Sequence, residues 1–366
     1  MYSHKKIDKI FLITAILLVA IGFLVFVSSS MSVATRENIN IYRFVATQLI
    51  LGVACGSIGA GIIAITKNLD WLKRYSIWIF GFSILMTLAV FTPLGMNHGG
   101  ASRWRDLGFL SFQPSEFLKI AFLIFMAAYL AVKKGDLSDI RHGLIPFCLI
   151  TGATGVILIL QPDLDGTVTL VVPALAMYIV AGAGWRNIIT IVISGVILFC
   201  LVLFFKPYAV DRITTFMHPE RDSLGSGYQI QQSLIAIGSG GLTGRGFGQS
   251  LQKFKYLPES NSDAIFAVVA EELGFVGSSL IIILFVALIL RGLRIAIKTS
   301  DNFGGLITVG IVILIVTQSF LNIGSMIGVL PLSGLPLTFF SKGGTSLFFI
   351  LLALGIILNV SKNKKN

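Results

Sequence analysis

Charged residues are scarce in this chain of 366 residues: Asp, Glu, Lys and Arg make up 12% of it, against 55% for hydrophobic residues. Soluble domains carry roughly 25% charged residues, and a soluble fold this apolar could not cover its own surface. The shortage of charge excludes an ordinary cytosolic enzyme, and the excess of hydrophobic residues excludes a disordered chain. Cysteine is also rare. Cys55, Cys148 and Cys200 all lie in apolar runs, which argues against a disulfide framework.

Long hydrophobic runs account for most of the chain. Nine stretches without Asp, Glu, Lys or Arg are long enough to cross a bilayer as helices, which takes roughly 17–25 residues. A tenth, near 113–132, carries Glu116 and Lys119 in its first two turns. We therefore predict an all-α polytopic membrane protein with ten transmembrane helices, forming a single domain over 1–366. The nine uncharged stretches are 10–35, 44–66, 75–102, 142–162, 166–185, 187–205, 273–290, 302–341 and 343–361.

The distribution of Lys and Arg predicts the orientation. With the N-terminus in the cytoplasm, sixteen cations fall in inside segments and five in the short outside loops. Cytoplasmic loops are enriched in Lys and Arg, so both termini are predicted to be cytoplasmic. The first apolar run, Ile10 to Val27, is longer than the core of a signal peptide and is interpreted as a retained helix. The basic residues do not cluster with aromatic ones, so no nucleic-acid partner is expected.

One loop is much longer than the others. Residues 206–262, between the seventh and eighth spans, are predicted to lie outside the cell. Loops of this length are usually functional or disordered. A helix-like apolar stripe from Tyr228 to Ile237, followed by a glycine cluster at 238–248, indicates an ordered cap. A shorter outside loop over 92–112 is expected to lie on the same face.

Four charged residues fall within spans, where each costs at least ~2.5 kcal/mol at the bilayer centre and so faces the protein interior. Glu116 and Lys119 share one face of span four. Glu271 and Glu272 lie in span eight at a similar depth, so we expect Lys119 to pair with one of them and the two spans to be neighbours. The charges are either structural pairs that join helices or the lining of an outward polar cavity.

Asp263 opens the eighth span after a Pro-Glu-Ser-Asn-Ser turn. An aspartate in the first turn of a helix is favoured by the helix dipole, so capping explains it. A general base at the mouth of a polar cavity is the alternative. Arginine forks suit phosphate oxygens. The candidate anion-binding residues are therefore the loop cations Arg103, Arg105, Arg212, Arg221, Arg245, Lys253 and Lys255, and ordinary solvated loop charge is the alternative for each.

Other kinds of site find little support. The four histidines lack the spacing of metal ligands, and the glycine cluster is not a P-loop. The acidic turn at 161–167 is explained by helix end and start signals. The residues alone thus predict a ten-helix bundle that handles an anionic amphiphile at the outer leaflet. They do not separate an enzyme from a transporter.

Several motifs together resemble the SEDS family (shape, elongation, division and sporulation), the FtsW and RodA group of bacterial wall synthesis. The resemblance covers nearly the whole chain, in order. The matching motifs are Ala-Ser-Arg-Trp at 101–104, Phe-Gln-Pro-Ser-Glu-Phe-x-Lys at 112–119, Gln-Pro-Asp at 161–163, Gly-Tyr-Gln-Ile at 227–230, Ser-Leu-Ile-Ala-Ile-Gly-Ser-Gly-Gly at 233–241, Tyr-Leu-Pro-Glu at 256–259 with Asp263, Ile-Phe-Ala-Val at 265–268, Ala-Glu-Glu-Leu-Gly at 270–274, Gly-Leu-Pro-Leu at 334–337 and Gly-Gly-Thr-Ser at 343–346.

The resemblance implies a peptidoglycan glycosyltransferase that polymerises lipid II, the lipid-linked disaccharide-pentapeptide. It assigns Asp263 as the catalytic residue, a base toward the acceptor sugar hydroxyl with undecaprenyl diphosphate as leaving group. The substrate-binding residues that follow from the motifs and the loop cations are Arg103, Glu116, Lys119, Arg212, Arg245, Glu259 and Glu271. No resident cofactor is implied, although a divalent cation, Mg²⁺ or Mn²⁺, could share the charge of the diphosphate.

The stretch 246–253 looks more like the division-type branch than the elongation-type branch of the family. That implies a class B penicillin-binding protein and other division proteins as partners, and the cytoplasmic membrane at the division septum as the location. Three positions depart from the family pattern: Asp165, Lys255 and Lys342. A lipid II flippase is the alternative function, and a non-catalytic division scaffold would leave the intramembrane charges without a role.

Overall fold

A computed structural model gives the fold of residues 6–37, 40–92, 96–98, 101–106, 111–133, 137–205, 207–222 and 225–363. Fifteen α-helices and three short strands are formed by these residues. The helices are α1 Lys9–Glu37, α2 Ile41–Thr47, α3 Gly56–Ile65, α4 Asp70–Arg74, α5 Ser76–Leu88, α6 Pro114–Val132, α7 Ile145–Leu160, α8 Leu164–Val180, α9 Trp185–Phe205, α10 Pro207–Met217, α11 Ser226–Gly240, α12 Gln252–Lys255, α13 Ile265–Lys298, α14 Asn302–Met326 and α15 Gly344–Val360. The strands are β1 Met96–His98, β2 Ala101–Asp106 and β3 Ser111–Phe112.

Apolar helices long enough to cross a membrane make up most of the molecule, which is an integral membrane protein. Seven helical segments meet the length and composition of a span, and α2 reaches α3 through the π-helical segment Gln48–Cys55. Three shorter apolar helices lie at the remaining predicted spans. The seven longer segments contain α1, α2 with α3, α6, α7, α9, α13 and α14, and the three shorter ones contain α5, α8 and α15.

Two predicted spans are longer than the helices found there. The stretch 75–102 is helical only to Phe91, after which β1 and β2 pair antiparallel. The stretch 302–341 is helical only to Met326, because Gly328 has a φ of 72° and prolines follow at 331 and 336. Residues 327–343 form turns and irregular chain, with Leu337 and Phe340 buried.

Helix α14 lies at the centre of the bundle. It packs against α13, α8 and α6, and its residues are largely buried. The other helices pack around it in pairs: α15 on α3, α1 on α13, and α5 on α6. Helix α9 is at the periphery, where only Asn187 and Ile188 are buried. The apolar side chains of α9 are therefore directed toward lipid.

The described residues of the long loop form helices, as the apolar stripe predicted. It contains the helices α10, α11 and α12, and the stripe from Tyr228 to Ile237 lies within α11. Helix α11 packs along α13. The loop is thus a helical layer on one end of the bundle.

Helix α13 is broken at Gly274, where φ is 67° and ψ is −167°. A Cβ atom on this glycine would lie 2.2 Å from the backbone nitrogen of Gly244, so only glycine fits. A helix break leaves peptide groups without helical partners, and in a membrane protein they must be paired internally. The loop segment 241–246 supplies those partners through four backbone hydrogen bonds: Arg245 N to Glu271 O (3.0 Å), Gly246 N to Glu272 O (3.0 Å), Phe275 N to Gly241 O (2.9 Å) and Val276 N to Leu242 O (3.1 Å).

Candidate functional site

Asp263 lies in the turn just before α13, at the end of the bundle that carries the long loop, and is half-buried. Glu259, with a φ of 48°, begins this turn, and its carbonyl accepts hydrogen bonds from the backbone nitrogens of Ser262 and Ala264 (3.1 Å each). Helix α13 begins at Ile265 with Ala264 at the N-cap position. Asp263 therefore precedes the helix instead of lying in its first turn.

The backbone of Asp263 is fixed by α14. The side-chain amide of Asn322 donates to the carbonyl oxygens of Asp263 and Leu335, at 2.7 Å in both cases. Asn322 is fully buried. This bridge ties the turn before α13 to the extended segment 327–343, and so fixes where the carboxylate of Asp263 can reach.

An ion pair lies beside Asp263. Arg212 of α10 donates from Nη1 to Oδ2 of Asp165 at 2.7 Å, and the same oxygen accepts from the backbone nitrogen of Gly334 at 3.0 Å. The two side chains are 29% and 20% exposed. Asp165 is in the first turn of α8, where a helix dipole favours a carboxylate. One end of α8, the loop helix α10 and the segment after α14 thus meet at a single point.

The position of Gly334 shows how close these groups are. A Cβ atom on Gly334 would lie 3.8 Å from Oδ2 of Asp263, 3.9 Å from Nη2 of Arg212 and 3.9 Å from Oδ2 of Asp165. Gly334 itself is exposed. Two carboxylates and one guanidinium therefore border the same open space, which no side chain from position 334 fills.

Glu259 is exposed, and its carboxylate accepts a hydrogen bond from the hydroxyl of Ser262 at 2.6 Å. It belongs to the same turn as Asp263. Arg103, in contrast, is placed only by its backbone, in β2. The structure does not describe the side chain of Arg103, so its contact with a substrate diphosphate stays a prediction.

Glu271 fixes the long loop to α13. This fully buried carboxylate accepts hydrogen bonds from the hydroxyl of Ser250 (2.5 Å) and the backbone nitrogen of Leu251 (3.0 Å), and Nε of Arg245 lies 3.6 Å away. The guanidinium of Arg245 is 40% exposed. Glu271 thereby orients Arg245 toward solvent from the side of the broken helix.

Glu272 has a buried cation of its own. Lys253, which is fully buried, donates from Nζ to Glu272 at 2.5 Å and to the hydroxyl of Ser28 at 2.8 Å. On α6, Lys119 donates to Glu116 at 2.7 Å, and Ser346 donates to the same carboxylate at 3.0 Å. The expected pairing of Lys119 with a glutamate of span eight is therefore wrong. Helices α6 and α13 each pack against α14. Helix α13 also packs against α11 and α1, and helix α6 also packs against α5 and α8.

A small pocket with room for about one water molecule lies near the Glu116–Lys119 pair, and Ser346 lines it. Gln318 and Thr338 also line it, and each has a buried oxygen without a hydrogen-bond partner among the described residues. Polar groups therefore adjoin the buried pair of α6, while an outward polar cavity stays a prediction.

Within the ranges that the structure describes, no group of three or more His, Cys, Asp and Glu side chains is placed to hold a metal ion. Asp165 already shares an oxygen between Arg212 and Gly334. These residues do not form a complete divalent-cation site by themselves, and a Mg²⁺ or Mn²⁺ ion that shares the charge of the diphosphate stays a prediction.

The candidate site therefore consists of Asp263 with Arg212 and Asp165. Glu259 lies in the adjoining turn, whereas Glu271 pairs with Arg245 and Glu116 pairs with Lys119. The sequence indicates Asp165 only as part of the acidic turn at 161–167, which helix end and start signals explain. Nothing local in the sequence indicated Asn322 or Gly334 as neighbours of Asp263.

Comparison with known proteins places the whole chain in one group. A family described as "Cell cycle protein", comprising FtsW, RodA and SpoVE, matches residues 8–366. Stage V sporulation protein E of Bacillus subtilis (strain 168) is 38% identical over 97% of this chain and 97% of its own length. A probable peptidoglycan glycosyltransferase FtsW of Aliivibrio salmonicida (strain LFI1238) is 35% identical over 96% of this chain and 88% of its own.

Solved structures agree with the sequence relatives. A chain described under "Structural coordination of polymerization and crosslinking by a peptidoglycan synthase complex" superposes with a TM-score of 0.79 at 26% identity, over 97% of both chains. The rod shape determining protein RodA of Thermus thermophilus superposes with a TM-score of 0.71 at 26% identity, over 98% of both chains. The fold is therefore shared along nearly the whole length of the chain.

Proposed function

We propose, from the premise that the chain belongs to the cell cycle protein family of FtsW, RodA and SpoVE, that it polymerises lipid II into glycan strands at the outer face of the cytoplasmic membrane. The chain is a glycosyltransferase, as its relatives are named. The observation that carries the proposal is the half-buried Asp263 beside the Arg212 guanidinium, at the end of an apolar bundle where a lipid-anchored substrate would present its head group.

In this reaction the acceptor sugar hydroxyl attacks the anomeric carbon of the donor sugar, and the bond to the diphosphate oxygen breaks. Asp263 takes the hydroxyl proton, a step that contributes typically ~10²–10⁴-fold to the rate. Negative charge grows on the departing diphosphate, and a cation already in place stabilises it. Arg212 is proposed to be this cation, because its guanidinium lies beside Asp263 at Gly334. Arg103 and Arg245 are proposed to contact the same diphosphate from the two loops.

Support for the topology comes from the helix inventory. The seven long apolar segments and three shorter apolar helices fit ten crossings with both termini in the cytoplasm, and the layer of α10, α11 and α12 then lies outside. A cysteine introduced in α11 should react with a membrane-impermeant thiol reagent in intact cells. Protection of that cysteine until the membrane is permeabilised would contradict the orientation.

The proposed partner is a class B penicillin-binding protein, and the proposed location is the division septum with other division proteins. The structural relative in a peptidoglycan synthase complex supports a partnered enzyme. The resemblance of 246–253 to the division-type branch supports the septum. Microscopy of a fluorescent fusion tests this point, since a signal spread evenly along the side wall would favour an elongation role.

The decisive experiment supplies purified lipid II to the full-length protein, once alone and once together with its transpeptidase partner. Penicillin is added in both cases, so that the partner cannot cross-link the product. Wild-type protein should give a ladder of glycan strands on a gel, and Asp263→Asn should lower the rate at least ~10²-fold because the base is lost. Glu220→Gln, which neutralises an exposed carboxylate of the same loop, should behave as wild type. Folded Asp263→Asn protein that polymerises at the wild-type rate would refute the mechanism. Lipid transfer across vesicles without polymer would favour a flippase.

A further inference from the structure

Asp165 is the acidic residue by which this chain departs from its family's turn after Gln-Pro-Asp, and the structure gives it two partners. Its Oδ2 accepts from Nη1 of Arg212 at 2.7 Å and from the backbone nitrogen of Gly334 at 3.0 Å. Both side chains of the ion pair are less than one-third exposed. A charge-assisted hydrogen bond in such surroundings is stronger than one between neutral groups.

The pair lies beside Asp263 rather than at a distance from it. The atoms Asp263 Oδ2, Arg212 Nη2 and Asp165 Oδ2 are all within 3.9 Å of the point where a Cβ atom on Gly334 would stand. Gly334 is exposed, so this point opens to the surroundings of the bundle. Arg212 thus presents its Nη2 edge to the same space that the Asp263 carboxylate borders.

Asp165 also determines how the guanidinium is oriented. Arginine has five N–H donors in a rigid plane. A hydrogen bond from Nη1 to Asp165 therefore restricts the directions in which the other donors can point. Arg212 is carried by α10, a loop helix outside the apolar bundle, on a long side chain with high rotamer entropy. Holding that side chain in advance removes an ordering cost that a ligand would otherwise bear on binding.

We propose that Asp165 is a positioning residue for glycosyl transfer: it holds the Arg212 guanidinium beside Asp263, so that the diphosphate of a lipid-linked sugar meets a cation already oriented. This inference rests on the proposed function. It adds a residue that touches no reacting atom and acts through Arg212. The ligand class is a lipid-linked sugar diphosphate, since a guanidinium fork matches diphosphate oxygens.

The test measures initial polymerisation rates against lipid II concentration for the full-length protein with its partner. Asp165→Asn keeps the shape of the side chain and removes its charge. We expect kcat/KM to fall about tenfold, the effect of losing one charge-assisted hydrogen bond that is partly open to solvent. KM rises because the diphosphate meets a less ordered cation, and kcat falls because the same cation stabilises the departing charge. Asp165→Glu, which can still pair with Arg212, should restore most of kcat/KM. Glu220→Gln is the matched control for loss of one loop carboxylate.

A double-mutant cycle shows whether Asp165 acts through Arg212. If it does, adding Asp165→Asn to Arg212→Gln leaves kcat/KM as it is in Arg212→Gln alone. An unchanged kcat/KM in Asp165→Asn, or additive effects in the double mutant, would each overturn the inference. If wild-type protein polymerises and Asp263→Asn does not, any of these results removes this inference alone. Wild-type protein that makes no polymer overturns both it and the proposed function.

Discussion

The buried ion pair between Lys253 and Glu272 gives a sharp test of how the long loop is attached to the bundle. Nζ of Lys253 donates to Glu272 (2.5 Å), to the hydroxyl of Ser28 (2.8 Å) and to the carbonyl of Gly248 (3.1 Å). Neither charged side chain is more than 1% exposed. The pair therefore joins α12, α13 and α1 at a point without access to water.

Removing one partner should cost far more than removing both. A single change, Glu272→Gln, leaves an uncompensated ammonium in the interior, which typically costs about 3–5 kcal/mol. Replacing both partners of a buried ion pair by hydrophobic residues of similar volume is often close to neutral. Lys253→Met with Glu272→Gln removes both charges, but it also removes the Lys253 hydrogen bonds to Ser28 and Gly248 and buries a new amide. The double variant should therefore be more stable than either single variant and less stable than wild type.

Thermal unfolding of the purified protein in detergent, followed by tryptophan fluorescence, measures the order of these variants. We expect Tm to fall by several degrees in Glu272→Gln and in Lys253→Met, and to recover in part in the double variant. Lys255→Met is the matched control, because Lys255 is exposed only two residues away and should leave Tm unchanged. Additive losses in the double variant, or a single variant as mild as the control, would refute the reasoning.

Two other variants test the backbone around the site. Gly274→Ala should lower Tm by several degrees, because its Cβ would lie 2.2 Å from the backbone nitrogen of Gly244 at a φ of 67°. Gly61→Ala is the control, because the space around its Cβ is open, and equal Tm values for the two variants would contradict the need for glycine in the break. Asn322→Ala should lower the polymerisation rate even at temperatures where the protein stays folded, because the carbonyls of Asp263 and Leu335 lose the amide that holds this turn. An unchanged polymerisation rate would mean that the turn keeps its shape without the bridge.

Hydropathy predicted the apolar helices well because burial in lipid imposes one simple requirement on a whole segment. Every predicted span coincides with an apolar helix, although the number that cross the membrane stays a prediction. Hydropathy could not show where a helix ends inside an apolar run. The stretch 302–341 contained Gly328, Pro331 and Pro336, which are ordinary stop signals, and α14 does end at Met326.

Charge pairing was less predictable than helix position. The depth of Lys119 along its helix was estimated from the sequence, but pairing also depends on the direction in which a helix faces, and Lys119 contacts Glu116 on its own helix. The contact of Asp165 with Arg212 joins residues 47 positions apart without any local pattern. The catalytic and substrate-binding assignments of Asp263, Arg103, Glu259 and the buried pairs stay predictions until activity is measured.

The break in α13 has a consequence for how the chain is assembled. The peptide groups on either side of Gly274 are completed by segment 241–246, which leaves the ribosome before α13 does. When α13 emerges, the backbone groups of 241–246 that complete its hydrogen bonds have therefore already been synthesised. These hydrogen bonds of α13 can form before the downstream helices are made. A deletion within that glycine segment would consequently act as an insertion defect of the eighth span, even though the deleted residues belong to the loop.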